Sequence, residues 1–128
     1  MIDRDTARAL AAVLAGGLVG SALRAGIGMW VPGERGAFPT AVLVVNIAGS
    51  FLLGLYLARR ERSIGPPWSL QFWAFGLLGS FTTFSAFSLD VFYLLEEGRP
   101  LIATGYVTAS VVGGLAAALI GQRAGRLG

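Results

Sequence analysis

Residues 76–87 read GLLGSFTTFSAF and lie inside a run of roughly 27 residues, 63–89, without a charged side chain. Gly76 and Gly79 loosen a helical backbone, and Ser80, Thr82, Thr83 and Ser85 bring hydroxyls to its middle. Phe81, Phe84 and Phe87 recur at i, i+3 and i+6, one side of a continuous helix. Interrupted backbone at membrane depth survives only where it lines a cavity or is covered by protein. Carbonyls freed at such a break can coordinate a cation, and freed amides can bind an anion. Aromatic ring edges carry partial positive charge. Phenylalanine edges with hydroxyl and amide donors can therefore hold a small anion without a full positive charge. Core packing is the plainer role for phenylalanine; the alternation with Thr82, Thr83 and Ser85 argues against it.

Other polar groups sit inside apolar runs. Asn46 lies near the middle of TAVLVVNIAGSFLLG, with Ser50 four residues on along the same face. Its amide must face protein or water, so it makes either an interhelical hydrogen bond or a donor lining a pathway. Arg24 lies past the middle of the first run. It either snorkels to the interface or supplies a positive vestibule for anions. Tyr106 and Ser110 place two hydroxyls four apart in the last run.

These groups need a membrane scaffold. Of 128 residues, 55% are hydrophobic and 13% charged, against about 25% charged in a soluble domain. The chain has no Cys, which removes disulfides and thiolate sites, and no His, which removes imidazole ligands. The net charge of +3 is carried by arginine alone. The arginines stand at the ends of apolar runs, which marks membrane flanks rather than a nucleic-acid surface. No base, nucleophile or metal cluster suggests an enzyme.

Four apolar runs predict one domain, 1–128, of four transmembrane helices at about 9–31, 38–58, 69–95 and 101–121. The opening MIDRDTARALAAVLAGG has the charged-then-apolar order of a signal peptide. Two aspartates and continuing apolar character make it instead the first span. PGERG (32–36), RRERSIGPP (59–67) and EEGRP (96–100) read as loops. Trp30, Tyr56, Trp68, Trp73 and Tyr93 suit an aromatic belt. Arg4, Arg8, Arg59, Arg60, Arg62, Arg123 and Arg126 fall on the side of the termini, and Arg35 and Arg99 on the other, which puts both termini in the cytoplasm. Gly105, Ala109, Gly113, Ala117 and Gly121 recur every four residues, a stripe for close approach either within the bundle or across a dimer.

Taken together, GGLVGSALR (16–24), VNIAGSFLLG (45–54), GLLGSFTTFSAFSLD (76–90) and YVTASVVGG (106–114) resemble, in order, the four helices of the Fluc (CrcB-type) fluoride channels of bacteria. The resemblance implies a passive channel that exports fluoride across the bacterial inner membrane and confers fluoride resistance. It implies an all-α membrane protein whose third helix is broken near its middle. Two such subunits pair antiparallel, with dual topology, in contact with membrane lipid; two pores follow the interface and a structural Na+ sits at the dimer centre. By position it makes Asn46, Phe84 and Phe87 pore residues, with Thr83, Ser85, Tyr106 and Ser110 as further polar groups and Arg24 in the vestibule. It gives the sodium the backbone carbonyls of Gly79 and Thr82. The chain departs from the family pattern at Val42 and Gly114, where hydroxyl residues are common. The arginine asymmetry is also unusual for dual insertion, so the partner is either an opposed identical copy or an oppositely oriented paralogue. Two other readings are a proton-coupled multidrug exporter and a non-transporting accessory subunit. An exporter needs an embedded carboxylate, and the first candidate, Asp90, comes near a segment end.

Overall fold

The computed structural model describes residues 3–31, 36–63 and 65–127. The architecture is all-helical, with four spans long and apolar enough to cross a membrane: Arg4–Trp30, Thr40–Arg62, Pro67–Glu96 and Pro100–Leu127. The helices run past the apolar runs into their charged ends, because intrahelical hydrogen bonding does not stop where hydrophobicity does. Most of the turn expected at 32–36, with Arg35, lies outside the described residues.

Helix α1 is Arg4–Trp30. Asp3 caps it, its carboxylate accepting from the Asp5 and Thr6 amides at 2.9 and 2.8 Å. Hydrogen bonds from Thr6 hold that carboxyl below the usual aspartate range. Helix α2 is Thr40–Arg62. The third span is composite: α3, Pro67–Leu70, passes into a π-helical stretch, Gln71–Leu78, and then α4, Gly79–Phe81. Thr82 and Thr83 are extended (φ −75°, ψ 158° and φ −150°, ψ 120°), and helicity resumes in α5, Phe84–Glu96. The interruption is two residues long and the bend it makes is mild.

A Schellman turn ends α5: the Arg99 amide donates to the Leu94 carbonyl at 2.8 Å and the Gly98 amide to that of Leu95 at 3.0 Å. Gly98 takes φ +69° there, which glycine adopts without strain. Helix α6, Pro100–Leu127, then returns.

Packing divides the spans into two tight pairs, α1 against the π stretch and α4, and α2 against α6. In α1 the buried residues are Gly16 and Gly20, while Leu14 and Leu18 point outward. This inversion is the membrane pattern, in which small residues let backbones meet and large apolar ones face hydrocarbon. A Cβ on Gly16 would overlap the Phe72 carbonyl oxygen, and one on Gly20 that of Leu77.

The α6 stripe serves mainly the chain itself. Gly121 lies against the Phe51 carbonyl, Gly113 against Ile47, and Ala117 is buried. Gly125, one step beyond the expected stripe, packs on Leu55 and Ala58, whereas Gly105 meets nothing within 4 Å. A small core of Leu94, Ala103 and Tyr106, flanked by Leu43, Phe87 and Val91, ties α5 to α6 and α2.

Candidate functional site

The break is held by side chains from two other spans. Asn46, on α2, faces Thr83 and closes a two-bond clasp: its Nδ2 donates to the Thr83 carbonyl at 3.0 Å, and the Thr83 amide donates to its Oδ1 at 2.8 Å. In an unbroken α-helix the Thr83 amide would bond the Gly79 carbonyl, four residues back. Asn46 takes that amide, and the Gly79 carbonyl loses its helical donor. Three positions on, the Ala86 amide would have bonded Thr82; it donates instead to Thr83 Oγ1 at 3.1 Å, the N-cap of α5. Among the described residues, no donor reaches the carbonyl oxygens of Gly79 or Thr82. Between them, the Ser80 carbonyl accepts from Arg24 Nε at 3.1 Å. The Leu78 carbonyl takes the Thr82 amide at 3.1 Å and its hydroxyl at 2.9 Å.

Gly49 makes room for this arrangement, since a Cβ there would overlap the Thr82 methyl group. Ser50 bonds back to the Asn46 carbonyl at 2.8 Å. Ser80 Oγ lies within hydrogen-bond reach of carbonyls of its own span and of α1, Gly76 at 2.7 Å and Gly17 at 3.0 Å, with one proton to share between them. It thereby clamps the end of α4 onto α1.

A groove of about 370 Å³ opens over the break. Asn46, Gly79, Thr82, Thr83, Phe84, Phe87 and Ser110, all expected from sequence, line it together with Gly49 and Ser50. Phe84 is 80% exposed, and its ring lies 5.7 Å from that of Phe87. Phe81 is not part of this rim. The break separates it from the helical phase of Phe84 and Phe87, and it is buried beside Gly49. Ser110 Oγ is buried and, among the described residues, has no hydrogen-bond partner.

The other expected residues lie around the groove. Ser85 Oγ sits 3.1 Å from Thr83 Oγ1 on the exposed side of α5. Tyr106 is fully buried behind Phe87, ring centroids 5.2 Å apart, and its hydroxyl donates to Asp90 at 3.2 Å. Arg24 borders a separate cavity of about 110 Å³ with Thr83 and Ala86. Its Nε donates to the backbone carbonyl of Ser80.

Two contributors escaped sequence reasoning: Gly49 and the Arg24–Ser80 bond. Their partners come from the third span, across more than 30 intervening residues, and no local pattern encodes them.

Among the described residues, no group of three or more His, Cys, Asp or Glu could hold a metal ion. The oxygens that fit a hard cation are carbonyls freed at the break, those of Gly79 and Thr82 among them. Two oxygens per chain fall short of a full coordination shell.

Four spans, an interrupted third one, and a neutral polar groove at the interruption define a membrane protein of the channel and transporter class. Residues 11–122 match the family model described as CrcB-like protein, Camphor Resistance (CrcB). The chain is 41% identical over 113 residues to the fluoride-specific ion channel FluC of Oceanobacillus iheyensis, covering 87% of this chain and 86% of that one. It is 41% identical over 118 residues to the FluC of Chloroflexus aurantiacus (90% and 93% covered) and 40% identical over 119 to that of Agrobacterium fabrum (91% and 95%). The chain belongs to the CrcB (Fluc) family, a family of ion channels and not of enzymes.

Proposed function

We propose that the chain is a passive, fluoride-selective channel that exports fluoride across the bacterial inner membrane and so confers resistance to it. It works as an antiparallel pair, with two pores at the interface and a sodium ion at the centre. The observation that carries this reading is the convergence of seven expected residues on one groove over the break. The relatives' names supply the ion.

Fluoride is small and strongly hydrated, so its path must offer several donors, none binding so tightly that release stalls. The second Nδ2 hydrogen of Asn46 remains after its bond to Thr83. The hydroxyls of Thr83, Ser85 and Ser110 can turn to donate, and the edges of Phe84 and Phe87 add partial positive charge. Every one of these groups is neutral.

The groove is open on one chain, and a second copy over it would complete the wall. The same pairing would bring four carbonyls, Gly79 and Thr82 from each copy, around a hard cation. Bound there, sodium would supply fixed positive charge near an anion path and join the two breaks. The asymmetric arginines leave two partners, an opposed identical copy or a paralogue of opposite bias. An exporter mechanism is disfavoured because Asp90 is engaged by Tyr106.

Phe84→Ile and Phe87→Ile test the aromatic rim. Phe84 is so exposed that its loss should leave folding intact, whereas Phe87 also packs on Tyr106. Each is expected to lower fluoride efflux from liposomes about tenfold, with a slight loss of thermal stability for Phe87 alone. Undiminished efflux in both variants would refute the rim.

A further inference from the structure

We infer that Arg24 is a positioning residue for the cation site: it occupies the Ser80 carbonyl, which holds the neighbouring Gly79 and Thr82 carbonyls in place to face a bound cation. The inference rests on the sodium reading above.

Four consecutive helical hydrogen bonds are lost at the break, those from the amides of residues 83–86 to the carbonyls of residues 79–82. Left alone, the end of α4 would present a cluster of bare carbonyls at membrane depth, an expensive and floppy arrangement. The structure sorts them. Asn46 takes the Thr83 amide and Thr83 Oγ1 that of Ala86, which frees the carbonyls of Gly79 and Thr82; the Phe81 carbonyl loses its helical donor as well. Arg24, reaching from α1, takes the carbonyl of Ser80, which lies between them in sequence.

The half-buried guanidinium suits this end of a helix, where the backbone dipole is negative. Its Nε faces Ser80, and the cavity it borders with Val42, Val45, Thr83 and Ala86 lies on the side of α5. Ser80 Oγ also lies 3.0 Å from the Gly17 carbonyl, sharing its one proton between α1 and the nearer Gly76 carbonyl. The bond from Arg24 is thus the full tie from Ser80 to α1, and it sets the angle at which the neighbouring Gly79 carbonyl is offered. On the cation site Arg24 acts through the backbone.

The chemistry of three substitutions separates this role from bulk charge. The Nε2 of glutamine stands at the same side-chain position as the Nε of arginine, so Arg24→Gln keeps the donor and loses the charge. Arg24→Lys keeps the charge and puts a methylene at that position. Arg24→Met removes both.

The measurement is the thermal midpoint of the purified, detergent-solubilised full chain as sodium replaces N-methylglucamine. The readout is the sodium concentration that gives half of the sodium-dependent rise. Arg24→Met and Arg24→Lys are expected to raise that concentration about tenfold, as loss of outer-shell support does at metal sites; Arg24→Gln is expected to stay near the wild-type value. Should Arg24→Met fail to fold, the contrast between Gln and Lys still decides.

Three results would overturn the inference. One is a lower midpoint in all variants at every sodium concentration, with the half-rise unmoved, which is a purely structural role. Another is tighter sodium binding in Gln and Met alike, which makes the arginine a repelling charge. The third is a wild-type midpoint indifferent to sodium, which removes the sodium reading itself and is recognisable because the variants are then not needed to see it.

Discussion

Replacing Asn46 with leucine is expected to abolish fluoride efflux, a loss of about a hundredfold or more, while lowering stability by only about 1–4 kcal/mol. The two figures differ because the side chain does two things. As a stabiliser it contributes two intramembrane hydrogen bonds, each modest. As an organiser it holds the Thr83 amide away from the Gly79 carbonyl. With leucine there, the cheapest repair is for that amide to return to Gly79 and anneal the third span into a continuous helix. The groove would then lose its amide donor, its extended Thr82–Thr83 backbone and the free Gly79 carbonyl in one step. Asn46→Asp would keep an acceptor for the Thr83 amide but set a carboxylate oxygen against the Thr83 carbonyl, so it too is expected to be inactive. Efflux assays and melting curves on the same preparations check this. A leucine variant that conducts normally would show that the clasp does not maintain the break.

The second large effect is expected at the contact between α2 and α6. A Cβ at Gly121 would overlap the Phe51 carbonyl oxygen, and one at Gly54 the Ala118 carbonyl oxygen. Both obstacles are backbone, which cannot swing aside as a flexible side chain would. Gly121→Val should therefore force the helices apart and cost about 3 kcal/mol or more, lowering the thermal midpoint by roughly 10 °C and removing folded protein from the membrane fraction. Gly105, on the same helix and the same four-residue repeat, meets nothing within 4 Å. Gly105→Ala is expected to leave the isolated fold unchanged. Equal behaviour of the two variants would mean that the stripe is not used as described.

Much of this was legible before any coordinates. Four spans follow from run length, and an interruption near the middle of the third follows from glycine and hydroxyl residues where lipid would favour neither; its place at residues 82 and 83 does not. The groove-lining set was legible too, from residue types and from the resemblance that orders them. What the sequence hid were relations across the chain. An intramembrane asparagine advertises that it needs partners but not that both are the backbone of Thr83, 37 residues away. Arg24 presented two escapes, snorkelling or a vestibule, and nothing in the sequence signalled its bond to the Ser80 carbonyl at the bare end of a helix. Phe81 looked in phase with Phe84 and Phe87 because helical spacing was counted through a break that resets it. The π-helical stretch 71–78 lies in an almost wholly apolar segment, QFWAFGLL, whose periodicity carries no signal of winding. The small-residue stripe was visible, but whether it met its own chain or another was not.

The most direct test is efflux from liposomes that contain this purified chain alone, loaded with equal fluoride and chloride. Rapid release of fluoride with chloride retained is the expected result, since neutral donors and ring edges match the small, strongly hydrated ion. Release of both halides at similar rates, or of neither, would contradict a fluoride path built over the break in the third span.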